Sequence, residues 1–122
     1  MNNCIKWFEI PARDFERAVA FYNGVLDLQL RVCDMGEERM AFFPEAEHNV
    51  GGAVSHAPDF EPSEHGTLVF FDATGRMERM LARVTAFGGQ VAQPACDIDA
   101  EGRGSFALFT DTEGNRLGFH AD

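Results

Sequence analysis

The chain has 122 residues, 45% of them hydrophobic, enough for one domain with its own core and no metal or disulfide to staple it. Its formal net charge of −10 repels phosphate backbones and anionic membrane surfaces, and its 10 Lys and Arg form no basic stripe, which excludes nucleic acid and lipid headgroups as partners. Cys4, Cys33 and Cys96 are odd in number and far apart, which excludes a disulfide framework and a zinc ribbon.

Met1-Asn2-Asn3-Cys4 leads straight into an apolar strand without a secretory pattern, and no segment has the length of a membrane span, so the expected location is the cytoplasm. Ile5 to Ile10 is rich in β-formers and is closed by Pro11, which predicts a first strand. Asp14 then suits a helix N-cap, Phe15, Ala18, Val19 and Tyr22 recur at helical spacing, and Asn23-Gly24 supplies a left-handed stop. Leu26 to Cys33 and Glu38 to Phe43 predict two strands around Asp34-Met35-Gly36-Glu37, and Val50 to His56 predicts a fourth. Residues 57 to 65 carry two prolines and no periodicity and read as a linker or a flap. The same order then returns: a strand over Gly66 to Asp72, a helix with Met77, Met80, Leu81, Val84 and Phe87 on its apolar face, the stop Gly88-Gly89, and strands over Gln90 to Cys96, Ser105 to Thr110 and Arg116 to His120.

A repeated phrase marks the duplication. Phe43-Pro44-Glu45-Ala46-Glu47-His48-Asn49 and Phe109-Thr110-Asp111-Thr112-Glu113-Gly114-Asn115 stand 109 − 43 = 66 residues apart, and each joins two apolar runs. The chain therefore reads as α+β: two βαβββ modules, about residues 4–56 and 66–121, joined by the linker 57–65 in one domain spanning 1–122. Glu113-Gly114-Asn115 reads as a turn, since Gly and Asn tolerate positive φ and Asp111 can bond its own backbone.

The opening Phe8-Glu9-Ile10-Pro11-x-x-Asp14-x-x-Arg17-Ala18-x-x-Phe21-Tyr22, the step Gly51-Gly52-Ala53, the run Pro62-Ser63-x-x-Gly66, Gly88-Gly89 and the closing Asp111-x-Glu113-Gly114-Asn115-x-Leu117-Gly118 together resemble the vicinal oxygen chelate superfamily, in its small bacterial glyoxalase/bleomycin resistance group. The resemblance covers the whole chain. It implies a curved, mostly antiparallel mixed eight-stranded sheet whose concave face holds a divalent metal, with His, Gln or Glu ligands from the first and fourth strand of each module. It also implies a homodimer, which a one-sided sheet with a broad apolar face invites. Carried onto this sequence, the ligand positions fall on Trp7, Gly52 or a neighbour, Thr67 and Gly118. None is a normal metal ligand, so no metal and no other cofactor is expected at the usual site.

Side chains alternate along a strand. Glu9 thus shares a face with Trp7, and His120 with Gly118, each about 6.6 Å beyond a family ligand position. A carboxylate near an imidazole serves as general base and acid, or binds a polar or cationic group. The plainer readings are that Glu9 bonds the sheet and that His120, near the C-terminus, is solvated. His56 falls at the pocket rim, and Glu9, His56 and His120 are the one set that could hold a displaced divalent metal. Trp7, Phe42, Thr67 and Val69, with Met40 and Phe71, are expected to line the cup, with Trp7 placed to stack on a planar or cationic compound. The expected function is a metal-independent small-molecule binding protein. The alternative is a lyase or isomerase of the glyoxalase I type acting on a small carbonyl compound, with Glu9 as base and His120 or a displaced metal as electrophile.

Overall fold

The computed structural model describes residues 4–45, 50–98, 102 and 104–122. Residues 46–49, which include His48 and most of the first repeated phrase, lie outside the described residues. In chain order the described elements are β1 (Trp7–Pro11), α1 (Phe15–Leu26), β2 (Arg31–Met35), β3 (Glu38–Phe42), β4 (Gly51–His56), β5 (Phe70–Asp72), α2 (Met77–Ala86), β6 (Gln90–Asp97), β7 (Ser105–Thr110) and β8 (Arg116–Ala121). The strands pair as β1-β4-β3-β2 and β5-β8-β7-β6. In each sheet the first pair is parallel, as a crossover helix requires, and the others are antiparallel. The edge strands β1 and β5 face each other at the seam between the modules, where the Phe8 and Phe71 rings approach to 6.2 Å.

Helix α1 begins where Asp14, in extended backbone, accepts the Arg17 N–H at 3.1 Å. It does not stop at Asn23-Gly24. The helix runs on to Leu26 and closes at Asp27, whose φ is 54°, while Asn23 Oδ1 accepts the Leu30 N–H at 2.8 Å and organises the exit. The reason for glycine at position 24 is contact: a Cβ there would run into the Phe87 ring at the end of α2. The two helices cover one face of the sheets, and the core between them holds Phe21, Tyr22, Met80, Phe109 and Phe119, all fully buried. No helix among the described residues is long and apolar enough to cross a membrane.

The turn between β7 and β8 binds the modules together. Asp111 Oδ1 accepts the N–H groups of Glu113 and Asn115 at 2.8 and 2.9 Å, which fixes the turn, and Oδ2 accepts the Tyr22 hydroxyl of α1 at 2.6 Å. Asn115 Nδ2 reaches across the seam to the Pro11 carbonyl at 2.7 Å. The Glu113 side chain is fully buried and caps α1 from the opposite module, accepting from the Arg13 and Asp14 N–H groups at 2.8 and 2.7 Å and from Arg17 Nε at 2.7 Å. Burial alone would raise the Glu113 pKa, but the Arg17 hydrogen bond, the Asp14 N–H, the Thr112 hydroxyl and the Arg17 charge hold it below the ordinary value. Burial, and then the Asp111 charge, push the Tyr22 hydroxyl well above its ordinary value, so it remains a neutral donor.

Candidate functional site

Register decides which side chains reach the face that no helix covers. Trp7 pairs with Gly51, Phe8 with Gly52 and Glu9 with Ala53. Phe8 packs against the core beside Phe43 and Phe71, and a Cβ on Gly52 would strike the Phe8 ring. Gly52 therefore belongs to the helix side. Gly51, whose Cβ would meet the Trp7 ring at 3.0 Å, belongs to the open side.

The 66-residue spacing of the repeated phrases does not hold along the whole module, so Gly52 and Gly118, themselves 118 − 52 = 66 residues apart, are not counterparts. Ala12 N–H donates to the Ser55 carbonyl at 2.9 Å, and Ala73 N–H donates to the His120 carbonyl at 2.7 Å. These equivalent bonds set offsets of 73 − 12 = 61 and 120 − 55 = 65. The β3–β4 connection is one residue longer than β7–β8: Phe42 pairs with Ala53, a step of 53 − 42 = 11, and Leu108 with Gly118, a step of 118 − 108 = 10. Gly118 is thus the counterpart of Ala53, and Trp7 corresponds to Leu68 rather than Thr67 (7 + 61 = 68). A slip of one residue exchanges the two faces. It turns Val69 and Phe71 toward the core, against which both pack, where strand parity had placed them in the cup.

Trp7 and Glu9 form the centre of the open face. The Trp7 indole Nε1–H donates to Glu9 Oε2 at 3.0 Å, and the Ser55 hydroxyl donates to Glu9 Oε1 at 3.0 Å. Both donors are neutral, and Glu9 has no ion pair among the described residues. Trp7 is 46% exposed, and its ring stands 6.1 Å from that of Phe42. A cavity of about 400 Å³ adjoins this group, lined by Trp7, Glu9, Met40, Ser55, His56 and Phe60. Phe60 belongs to the linker, which therefore reaches the pocket. A smaller cleft of about 200 Å³ at the seam brings Thr67 and Val69 to Glu9, beside Ser63 and His65 of the linker. A larger cavity than these two, about 710 Å³, opens along the seam between Trp7, Phe8, Phe43, Val69, Phe70 and Phe71.

His56 shares the cavity of about 400 Å³ with Glu9, and His120 lies in the other sheet. His56 Nδ1–H donates to the Ala12 carbonyl at 2.8 Å, which ties the ring to the backbone at the β1 exit. His120 lies opposite Asp72 in the β5–β8 pair, while Glu9 lies in the other sheet opposite Ala53. The Thr74 N–H and then the Thr74 side chain, helped by the Arg76 and His120 charges, hold the Asp72 pKa below its ordinary value despite some desolvation. Ser55, which holds Glu9, and Asp72, which faces His120, were not singled out in the sequence. Strand parity alone signals Ser55, once Ala53 is known to share the open face.

The family's metal does not fit these residues. Trp7 offers an indole, its counterpart Leu68 and the corresponding pair Ala53 and Gly118 offer no donor, Gly52 lies beneath Phe8 on the other face, and Thr67 sits in the seam cleft. Among the described residues no group of three or more His, Cys, Asp or Glu could hold an ion, and that covers Glu9, His56 and His120.

The model of the Glyoxalase/Bleomycin resistance protein/Dioxygenase superfamily matches residues 4–119. Among curated proteins none matches the chain in sequence. Among solved structures, a glyoxalase/bleomycin resistance protein from Albidiferax ferrireducens T118 superposes with a TM-score of 0.73 at 15% identity, covering 98% of this chain and 99% of that one. The fosfomycin resistance protein FosX from Mesorhizobium loti gives 0.67 at 18% identity, covering 100% and 94%. A V278E glyoxalase I mutant from Zea mays gives 0.70 at 16% identity, covering 95% of this chain and 45% of that one. At these identities the likeness is one of fold.

Proposed function

Since the chain belongs to the glyoxalase/bleomycin resistance protein/dioxygenase superfamily, we propose that it is a small-molecule binding protein whose open face takes up a planar, cationic compound without the family's metal. One observation carries the reading: an exposed carboxylate, Glu9, is aimed by two neutral donors and lies beside an exposed indole. Neutral donors orient a carboxylate without cancelling its charge, so it stays ready for a cation, and the indole face adds cation–π attraction. Trp7 is the chain's single tryptophan, so its fluorescence reports the site directly. Titration with N-methylquinolinium is expected to give saturable quenching that Glu9→Gln weakens about tenfold, the loss of one close charge–charge contact. The same change at Glu78, exposed on α2, is expected to leave the titration unchanged, and equal effects at the two sites reject the reading.

The lyase or isomerase alternative asks Glu9 and His120 to share one substrate, although Glu9 stands on the edge strand β1 and His120 on β8, one strand behind the facing edge strand β5. No turnover of the hemithioacetal of methylglyoxal and glutathione is therefore expected. The proposal extends to a cytoplasmic homodimer. Three free thiols suit a reducing compartment, and Val32 and Met35, each 50% exposed on the edge strand β2, offer an apolar border to a second copy. Recovery in another cell fraction would remove the location, and sedimentation as a 13.5 kDa species at every concentration would remove the dimer.

A further inference from the structure

We propose that the compound taken up by the open face is a zwitterion, an elongated planar molecule whose ammonium group meets Glu9 and whose carboxylate meets Arg31. This rests on the binding reading above and adds a second charge to it. The register supplies the placement. Arg31 of β2 pairs with Phe42 of β3, Phe42 pairs with Ala53 of β4, and Ala53 pairs with Glu9 of β1. Residues paired across neighbouring strands point to the same face, so Arg31, Phe42, Ala53 and Glu9 form one row across all four strands on the open side. Three strand spacings separate its end residues by about 14 Å between Cα atoms.

The two ends of the row carry opposite charges, and both are uncommitted. The Arg31 guanidinium carbon lies 5.1 Å from the Phe42 ring centroid, so the side chain leans along the row toward Glu9. Among the described residues Arg31 has no carboxylate partner, and Glu9 is bonded only by an indole and a hydroxyl. Among the described residues no ion pair joins them, so neither charge is taken up by the other. Between them the floor is apolar and aromatic: the Phe42 ring and the Trp7 indole, which covers Gly51, with Ala53 of the row fully buried. A flat body fits that floor. A monocation would leave Arg31 beside an apolar surface without a counter-charge, whereas a carboxylate at the far end gives its planar fork a bidentate partner. A protein with 20 acidic and 10 basic residues has little general attraction for anions, so selection of the carboxylate falls to this one arginine.

Calorimetric titration with three naphthalenes tests this: 6-(aminomethyl)-2-naphthoate, 2-(aminomethyl)naphthalene and 2-naphthoate. The zwitterion is expected to bind about tenfold more tightly than the monocation, the gain of one charge-assisted contact, and the anion is expected to bind most weakly. Arg31→Gln should remove the zwitterion's advantage and leave the monocation unchanged, while Arg31→Lys should keep part of it. Equal affinity for zwitterion and monocation, or an advantage that survives Arg31→Gln, overturns the zwitterion and leaves cation binding standing. Binding of neither ammonium compound, or tighter binding of 2-naphthoate than of the monocation, overturns both.

Discussion

Two glutamates show how partners separate a binding group from a structural one. Glu9 is exposed and bonded by two neutral donors, so its charge remains available. Glu113 is buried among two backbone N–H groups, the Arg17 guanidinium and the Thr112 hydroxyl, and nothing of its charge is left over for a ligand. Its lowered pKa makes stability depend on pH with a definite sign. A carboxylate whose folded pKa lies below its unfolded value, about 4.3 for glutamate, contributes fully above that value and loses its contribution as pH falls through the folded pKa. Glu113→Gln is therefore expected to cost about 2 kcal/mol at pH 7, because the buried carboxylate accepts charge-assisted bonds from two backbone N–H groups and from the half-exposed Arg17. Denaturant titrations at pH 7 and pH 3 should show the gap between variant and parent shrinking at the lower pH, and a constant gap would contradict the assignment.

At the scale of strands, register governs everything that faces the pocket. Gly51 and Gly52 are neighbours on opposite faces: a Cβ at 52 meets Phe8, which is held in the core by Phe43 and Phe71, whereas a Cβ at 51 meets the exposed Trp7 ring. Gly52→Ala is expected to destabilise by about 2 kcal/mol, as overpacking does, and Gly51→Ala by much less, because an exposed ring can swing aside. Thermal denaturation of both variants checks this, and equal losses would contradict the register. The two-module order, the helix starting after Asp14 and the turn at Asp111–Asn115 were all legible in the sequence, because capping residues and hydrophobic periods are local signals. The face of Gly52, Val69 and Phe71 was not legible. It turns on a one-residue difference in length between the β3–β4 and β7–β8 connections, which no local pattern announces. Trp7, Glu9 and Phe42 survived this because their placement follows from the parity of β1 and β3 alone. The end of α1 was misread for another reason, since Asn23-Gly24 satisfies a helix stop and a close helix contact equally well on paper, and only Phe87 distinguishes them.

Across the whole molecule the duplication is preserved in topology and broken in chemistry. One side of the seam is shut by the Tyr22, Asp111, Glu113 and Asn115 network, while the seam also carries a cavity of about 710 Å³. One module presents Trp7, Glu9 and Ser55 to the open face. The other presents Leu68, Phe70 and His120 at the corresponding places, so the two-fold arrangement of donors that would grip an ion from both modules is absent among the described residues. The proposed function follows from that asymmetry, with aromatic stacking and the Glu9 carboxylate in the role the superfamily gives to a metal. The most direct test is the affinity for N-methylquinolinium, read by Trp7 fluorescence, in protein stripped with a chelator and again after nickel or zinc is returned. The same dissociation constant is expected in both states; binding that disappears on stripping and returns with the ion would show that a metal, and not Glu9 with Trp7, holds the compound.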